Sequence, residues 1–123
     1  MLYNILYVGI GGLAGSILRY LIAHLITQNS QSQFPWATTL VNIIGSIVIG
    51  ILFAYFERNL NISNEVKLLL TTGFCGGFTT FSTFSIEFIQ ILNNGSYFTA
   101  SVYLFLNVFV SIFLCLLSYK LIR

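Results

Sequence analysis

Between Gly73 and Glu87 the chain reads GFCGGFTTFSTFSIE, which sets glycines, hydroxyl residues, phenylalanines and one acid inside a run long enough to cross a membrane. Two chemistries suit those residue types. Gly76 and Gly77, followed by the β-branched Thr79, Thr80 and Thr83, weaken a helix at mid-span. A break there frees backbone carbonyls that hydrocarbon cannot satisfy and that make good ligands for a hard cation such as sodium. Just beyond, Phe81 and Phe84 are three residues apart and share a helical face, interleaved with Ser82, Thr83 and Ser85. The positive rim of a Phe ring and a hydroxyl donor would strip water from a small anion without supplying the full charge that traps it. The same spacing suits two rings that face lipid or pack in a core. Glu87 follows about one turn after Phe84. As an intramembrane carboxylate it is a functional candidate, though it would equally cap a network with Arg19 or lie near the interface.

Polar residues recur on the neighbouring runs. In TTLVNIIGSIVIG, Asn42, Ser46 and Gly50 fall four apart and share one face, so Asn42 reads equally as interhelical glue or as the lining of a pore. In SVYLFLNVFVSIFLC, Tyr103, Asn107, Ser111 and Cys115 form a line of polar groups along one face, which suggests that something polar travels beside it. In the first run, Gly11 and Gly15 let another helix approach closely, with Arg19 one further step of four along. Arg19 either snorkels or serves a watery vestibule; we favour the vestibule, where it would attract anions.

The elements that carry these residues follow from composition. With 57% hydrophobic and 7% charged residues and no Asp, the chain cannot clothe a water-facing surface with polar groups. A spanning helix needs about 20 mostly apolar residues. Four runs qualify: Leu2 to Ile26, Trp36 to Phe56, Val66 to Leu92 and Ser96 to Ile122. The expected fold is an all-α integral membrane protein, a single four-helix transmembrane domain over residues 1–123 with a break in the third helix. The first run lacks a basic leader segment and is expected to be retained. Turn formers concentrate in the three connections, and Tyr3, Tyr7, Trp36, Tyr55, Tyr97 and Tyr119 sit near run ends as an aromatic belt would.

Several classes are excluded. Two separated cysteines, Cys75 and Cys115, match no zinc or redox spacing. Five basic residues make no nucleic-acid patch, and no nucleophile and base stand at a recognisable spacing, so no enzyme is expected. Gly9, Gly11 and Ala14 satisfy a relaxed dinucleotide fingerprint but follow no strand. A proton-coupled small multidrug transporter, the alternative of similar size, needs a carboxylate that the first helix lacks. Four spans put Arg58, Lys67, Lys120 and Arg123 on one side, against Arg19 and His24 near the other, which favours cytoplasmic termini.

The stretch GFCGGFTTFSTFSIE, the Gly15 to Arg19 spacing in the first helix and Asn42 in the second together resemble the Fluc fluoride channels, also called CrcB proteins. The resemblance covers all four spans. It implies a passive fluoride channel in the bacterial cell membrane, built as an antiparallel, dual-topology dimer with two pores and a structural sodium ion on the twofold axis. It implies that the carbonyls of Gly76 and Thr79 hold the sodium, and that Phe81, Phe84, Asn42, Ser82, Thr83, Tyr103 and Ser111 line the pores. Asn107 is counted among the lining residues too, although it and Cys115 stand where hydroxyls are expected. Arg19 would sit at the vestibule, and Glu87 matches a signature carboxylate without an assigned role. The basic bias sits awkwardly with dual topology. The expectation is a homodimer, with a heterodimer of oppositely biased chains as the alternative.

Overall fold

The computed structural model describes all residues 1–123, and they form helices with no strand. In chain order these are α1, Leu2–Asn29; α2, Trp36–Arg58; α3, residues 64–78; α4, Phe81–Asn93; and α5, Tyr97–Ile122. Helices α1, α2 and α5, of 28, 23 and 26 residues, are each long and apolar enough to cross a membrane. Helices α3 and α4 are one helical stretch interrupted at Thr79 and Thr80. In a bilayer every peptide group must find its partner inside the protein, which favours uninterrupted helix wherever the side chains are apolar. Only 19 of 123 residues are buried, and large apolar side chains such as Ile10, Leu13, Phe98 and Phe113 stand out from the surface. Apolar surface on that scale belongs against lipid tails. The chain is an all-α integral membrane protein.

Two pairings organise the bundle. Helix α1 lies along α3 with backbone against backbone: a Cβ at Gly11 would run into Leu69 O, and one at Gly15 into Phe74 O. A Cβ on Gly73 would come within 3.0 Å of Gly11 Cα. Small residues at spacings of four bring two helices this close, and the gain is dispersion along the whole contact. Helix α2 packs on the second half of α5, where Ser118 Oγ donates to Ile47 O at 3.1 Å. At the end of that pair, Arg58 Nη1 donates to Ile122 O at 2.8 Å and Tyr119 OH to Glu57 Oε2 at 2.7 Å.

Of the residues expected to weaken the third helix, the two adjacent threonines make the break. Gly76 keeps helical dihedrals, and the chain leaves the helix at Thr79 and Thr80, both in the extended region. Gly77 instead serves packing, since a Cβ there would crowd Gly12 of α1. Thr80 ends the interruption as an N-cap, its Oγ1 accepting from Thr83 N at 3.3 Å. Threonine takes extended dihedrals readily and caps well, so the β-branched pair is the better breaking point. Wider π turns, Leu69–Cys75 in α3 and Phe105–Val110 in α5, lie on either side of this region.

Candidate functional site

A helix broken within a membrane leaves peptide groups without partners, and the side chains around Thr79 and Thr80 supply them. Thr80 N donates to Asn42 Oδ1 at 2.8 Å, while Asn42 Nδ2 donates back to Thr80 O at 3.0 Å. The Asn42 side chain thereby stands in for a missing peptide of a neighbouring strand. Its second amide hydrogen goes to Asn107 Oδ1 at 2.9 Å. Asn107 in turn donates to Thr39 Oγ1 at 3.1 Å and to Tyr103 O at 3.0 Å. Thr39 passes its own hydrogen to Pro35 O at 3.0 Å. No buried side-chain nitrogen or oxygen is left without a partner.

Arg19 closes the other side of the break. Its Nε donates to Gly77 O at 2.9 Å, one of the carbonyls that α3 leaves open at its last turn. The guanidinium is therefore held at the break and is not paired with Glu87. Glu87 Oε2 accepts from Tyr103 OH at 2.5 Å and borders a separate pocket beneath the α1–α2 connection, with Gln33, Trp36, Gln90 and Asn94. The sequence-level option of an Arg19–Glu87 network is corrected: each charge has its own neutral partner on a different helix.

The residues expected along a pore divide into two environments. A groove of about 500 Å³ runs beside the break, bordered by Asn42, Ser46, Thr72, Gly76, Thr79, Thr80, Phe81 and Asn107. Past Ser46 and Phe53 it meets a second groove along α2 and α5, bordered by Ser111, Cys115 and Tyr119. Tyr103 lies in neither: it is 0% exposed, with its ring against those of Phe34 and Phe84 at 5.6 and 5.2 Å between centroids. Phe81 and Phe84 touch, with centroids 5.5 Å apart, yet they are not equivalent. Phe81 is 76% exposed and Phe84 only 5%. Ser82 is exposed near Thr80, and Thr83 Oγ1 accepts from Thr80 Oγ1 at 3.1 Å.

Gly76 and Thr79 both border the first groove, and their carbonyls receive no side-chain hydrogen bond, unlike Gly77 O and Thr80 O. Above Gly76 the space is open, since a Cβ there would meet nothing nearer than Thr71 O at 4.0 Å. Neutral carbonyl oxygens of this kind have the chemistry that suits a hard cation. Sequence reasoning missed Thr39 and the part the Thr80 peptide plays. The only local signal was Thr39 standing one turn before Asn42; the contact with Thr80 spans 38 positions of sequence.

Comparison with known proteins gives the chain a family. The model of a family described as CrcB-like protein, Camphor Resistance (CrcB), matches residues 6–119. The chain belongs to the CrcB family. Among curated CrcB-type relatives, a fluoride-specific ion channel FluC of Flavobacterium psychrophilum is 44% identical over 109 residues, covering 89% of this chain and 88% of the relative. Proteins of the same name from Azobacteroides pseudotrichonymphae and Geobacter sulfurreducens are 42% and 43% identical, covering 98% and 94% of this chain and 97% and 90% of their own. The CrcB match takes in Arg19, Asn42, the whole of the break and Asn107.

Proposed function

We propose that the chain is a fluoride-selective channel through which cytoplasmic fluoride leaves the cell passively, down its electrochemical gradient. The observation that carries this reading is the helix break clamped by Asn42 and opening onto a groove of amides, hydroxyls and the exposed Phe81 ring, in a molecule otherwise greasy. The names of the CrcB relatives supply the ion. The chain forms one four-helix domain over residues 1–123, with α3 and α4 as its third span. Its assembly is an antiparallel homodimer with two pores, a heterodimer being the alternative that the basic bias would favour.

Along the path, Arg19 supplies a positive potential at the vestibule while its Nε holds Gly77 O. Phe81 presents a ring edge, Asn42 an amide hydrogen, and Ser82, Thr83 and Ser111 hydroxyl groups, so that a dehydrated anion is partnered at each step by neutral donors. Asn107 borders the same groove. Phe84 and Tyr103 act from behind: Phe84 backs the Phe81 ring, and Tyr103 holds Glu87 through its hydroxyl. The carbonyls of Gly76 and Thr79 would hold a sodium ion shared with the same carbonyls of a second copy. When bound, that cation would neutralise the carbonyl dipoles gathered at the centre of the dimer and fix the break.

The logic of a passive pathway rests on acid–base chemistry. Hydrogen fluoride crosses the bilayer neutral and dissociates inside, and the trapped anion then needs a selective exit. The test is fluoride efflux from liposomes holding the purified chain alone, followed with a fluoride electrode beside a chloride control. Rapid fluoride release without chloride release is expected. Well-folded protein that releases neither ion, alone and with a paired homologue, would refute the reading.

A further inference from the structure

Four of the hydrogen bonds beside the break run head to tail in one direction. Thr80 N donates to Asn42, Asn42 to Asn107, Asn107 to Thr39 and Thr39 to Pro35 O. Such a run closes in one direction only. Because the Thr39 hydroxyl spends its hydrogen on Pro35 O, it faces Asn107 as an acceptor, and Tyr103 O is an acceptor by nature. Both therefore hold the Nδ2 side of Asn107, which turns Oδ1 toward Asn42. Turning Asn107 over would set its oxygen against Tyr103 O and its nitrogen against Asn42 Nδ2. Asn107 is 9% exposed and Thr39 1%, so water is a poor substitute for either contact.

We propose that Asn107 is a positioning residue for anion passage: its Oδ1 parks the second amide hydrogen of Asn42 and yields it to a passing anion, and Thr39 keeps Asn107 turned for that task. The inference rests on the channel reading above and deepens it. A donor left pointing bare into a dry groove would hold an anion too well, whereas conduction asks for binding strong enough to enter and weak enough to leave. A parked hydrogen meets both needs, because the anion gains a donor only at the expense of an existing bond. Thr39 acts here without bordering the groove.

The test reads the fluoride concentration that half-saturates efflux, and the maximal rate, in liposomes carrying wild type, Asn107→Leu, Thr39→Val and Thr39→Ser. Loss of the parking acceptor in Asn107→Leu frees the Asn42 hydrogen, so half-saturation should fall about fivefold to tenfold, the equivalent of one net hydrogen bond, and the maximal rate should fall with it. Thr39→Val should shift half-saturation the same way to a smaller extent, and Thr39→Ser, which keeps the hydroxyl, should restore it. If Asn107 instead touched the anion with its own donors, half-saturation would rise in Asn107→Leu and stay fixed in Thr39→Val; that result overturns the proposal. Unchanged half-saturation in both variants overturns it as well. Should Asn107→Leu fail to fold, the Thr39 pair decides alone. A wild-type chain that passes no fluoride sinks the channel reading itself, a result distinct from conduction that ignores Asn107 and Thr39.

Discussion

Asn42→Asp changes one atom of the clamp and reverses its chemistry. In the native protein Asn42 Nδ2 faces two acceptors, Thr80 O at 3.0 Å and Asn107 Oδ1 at 2.9 Å. A carboxylate oxygen in its place turns both bonds into oxygen–oxygen contacts. Asn107 relieves one of them by turning over, but then its oxygen meets Tyr103 O, now 3.0 Å from its nitrogen, and the conflict has only moved. Each acceptor left unpaired away from water costs about 1–3 kcal/mol, so the variant should lose about 2–6 kcal/mol of stability at the break. The effect on the anion is larger in consequence. A negative charge about 4 Å from a passing anion repels it by about 4 kcal/mol at an effective dielectric of about 20, which is about a thousandfold in rate. Liposome efflux and a thermal melt of the same preparation separate the two terms. A variant that melts lower and passes less than about a hundredth of the wild-type fluoride fits the reasoning. Efflux within about threefold of wild type would refute it, since no arrangement of a carboxylate beside the path leaves an anion indifferent.

Further expectations follow from where the other residues lie. Phe81→Ile should cut fluoride efflux with little change in melting, because the ring is largely exposed, whereas Phe84→Ile should lower both, its ring being enclosed against Tyr103; untouched transport in both would leave the rings as packing alone. Arg19→Met keeps the stem but uncaps Gly77 O, and should destabilise the protein by about 1.5–3 kcal/mol, the worth of a hydrogen bond to a charged group. A melt unchanged by Arg19→Met would mean that water or lipid satisfies that carbonyl equally well. Exhaustive removal of sodium from purified protein should lower its melting temperature or abolish efflux, with potassium failing to restore it; indifference to sodium would count against the carbonyls of Gly76 and Thr79 as a cation site.

Much of the protein was legible in the sequence because hydropathy is a local property. The apolar runs announce membrane helices whatever their neighbours are, and Gly11 and Gly15 announce a close approach without saying to which helix. The same locality left the break point open within the stretch from Gly76 to Thr83. Weak helix formers marked Gly76, Gly77, Thr79, Thr80 and Thr83 together, while the structure spends Gly77 on packing against Gly12 and opens the chain at Thr79 and Thr80, where Asn42 can replace the lost peptide partner. Spacing placed Phe81 and Phe84 on one face and could not tell that one ring is covered by Tyr103 and the other bare.

What the sequence by itself determined is therefore the medium, the helices and the inventory of polar groups within them. Only the tertiary structure decided the pairings: Asn42 with Thr80 and Asn107, Arg19 with Gly77, and Glu87 with Tyr103, the first three across separations of 38, 65 and 58 residues. The physical reason is that a hydrogen bond in a dry interior is fixed by which acceptor lies within about 3 Å in the right direction, and that is settled by how the helices pack rather than by spacing along any one of them.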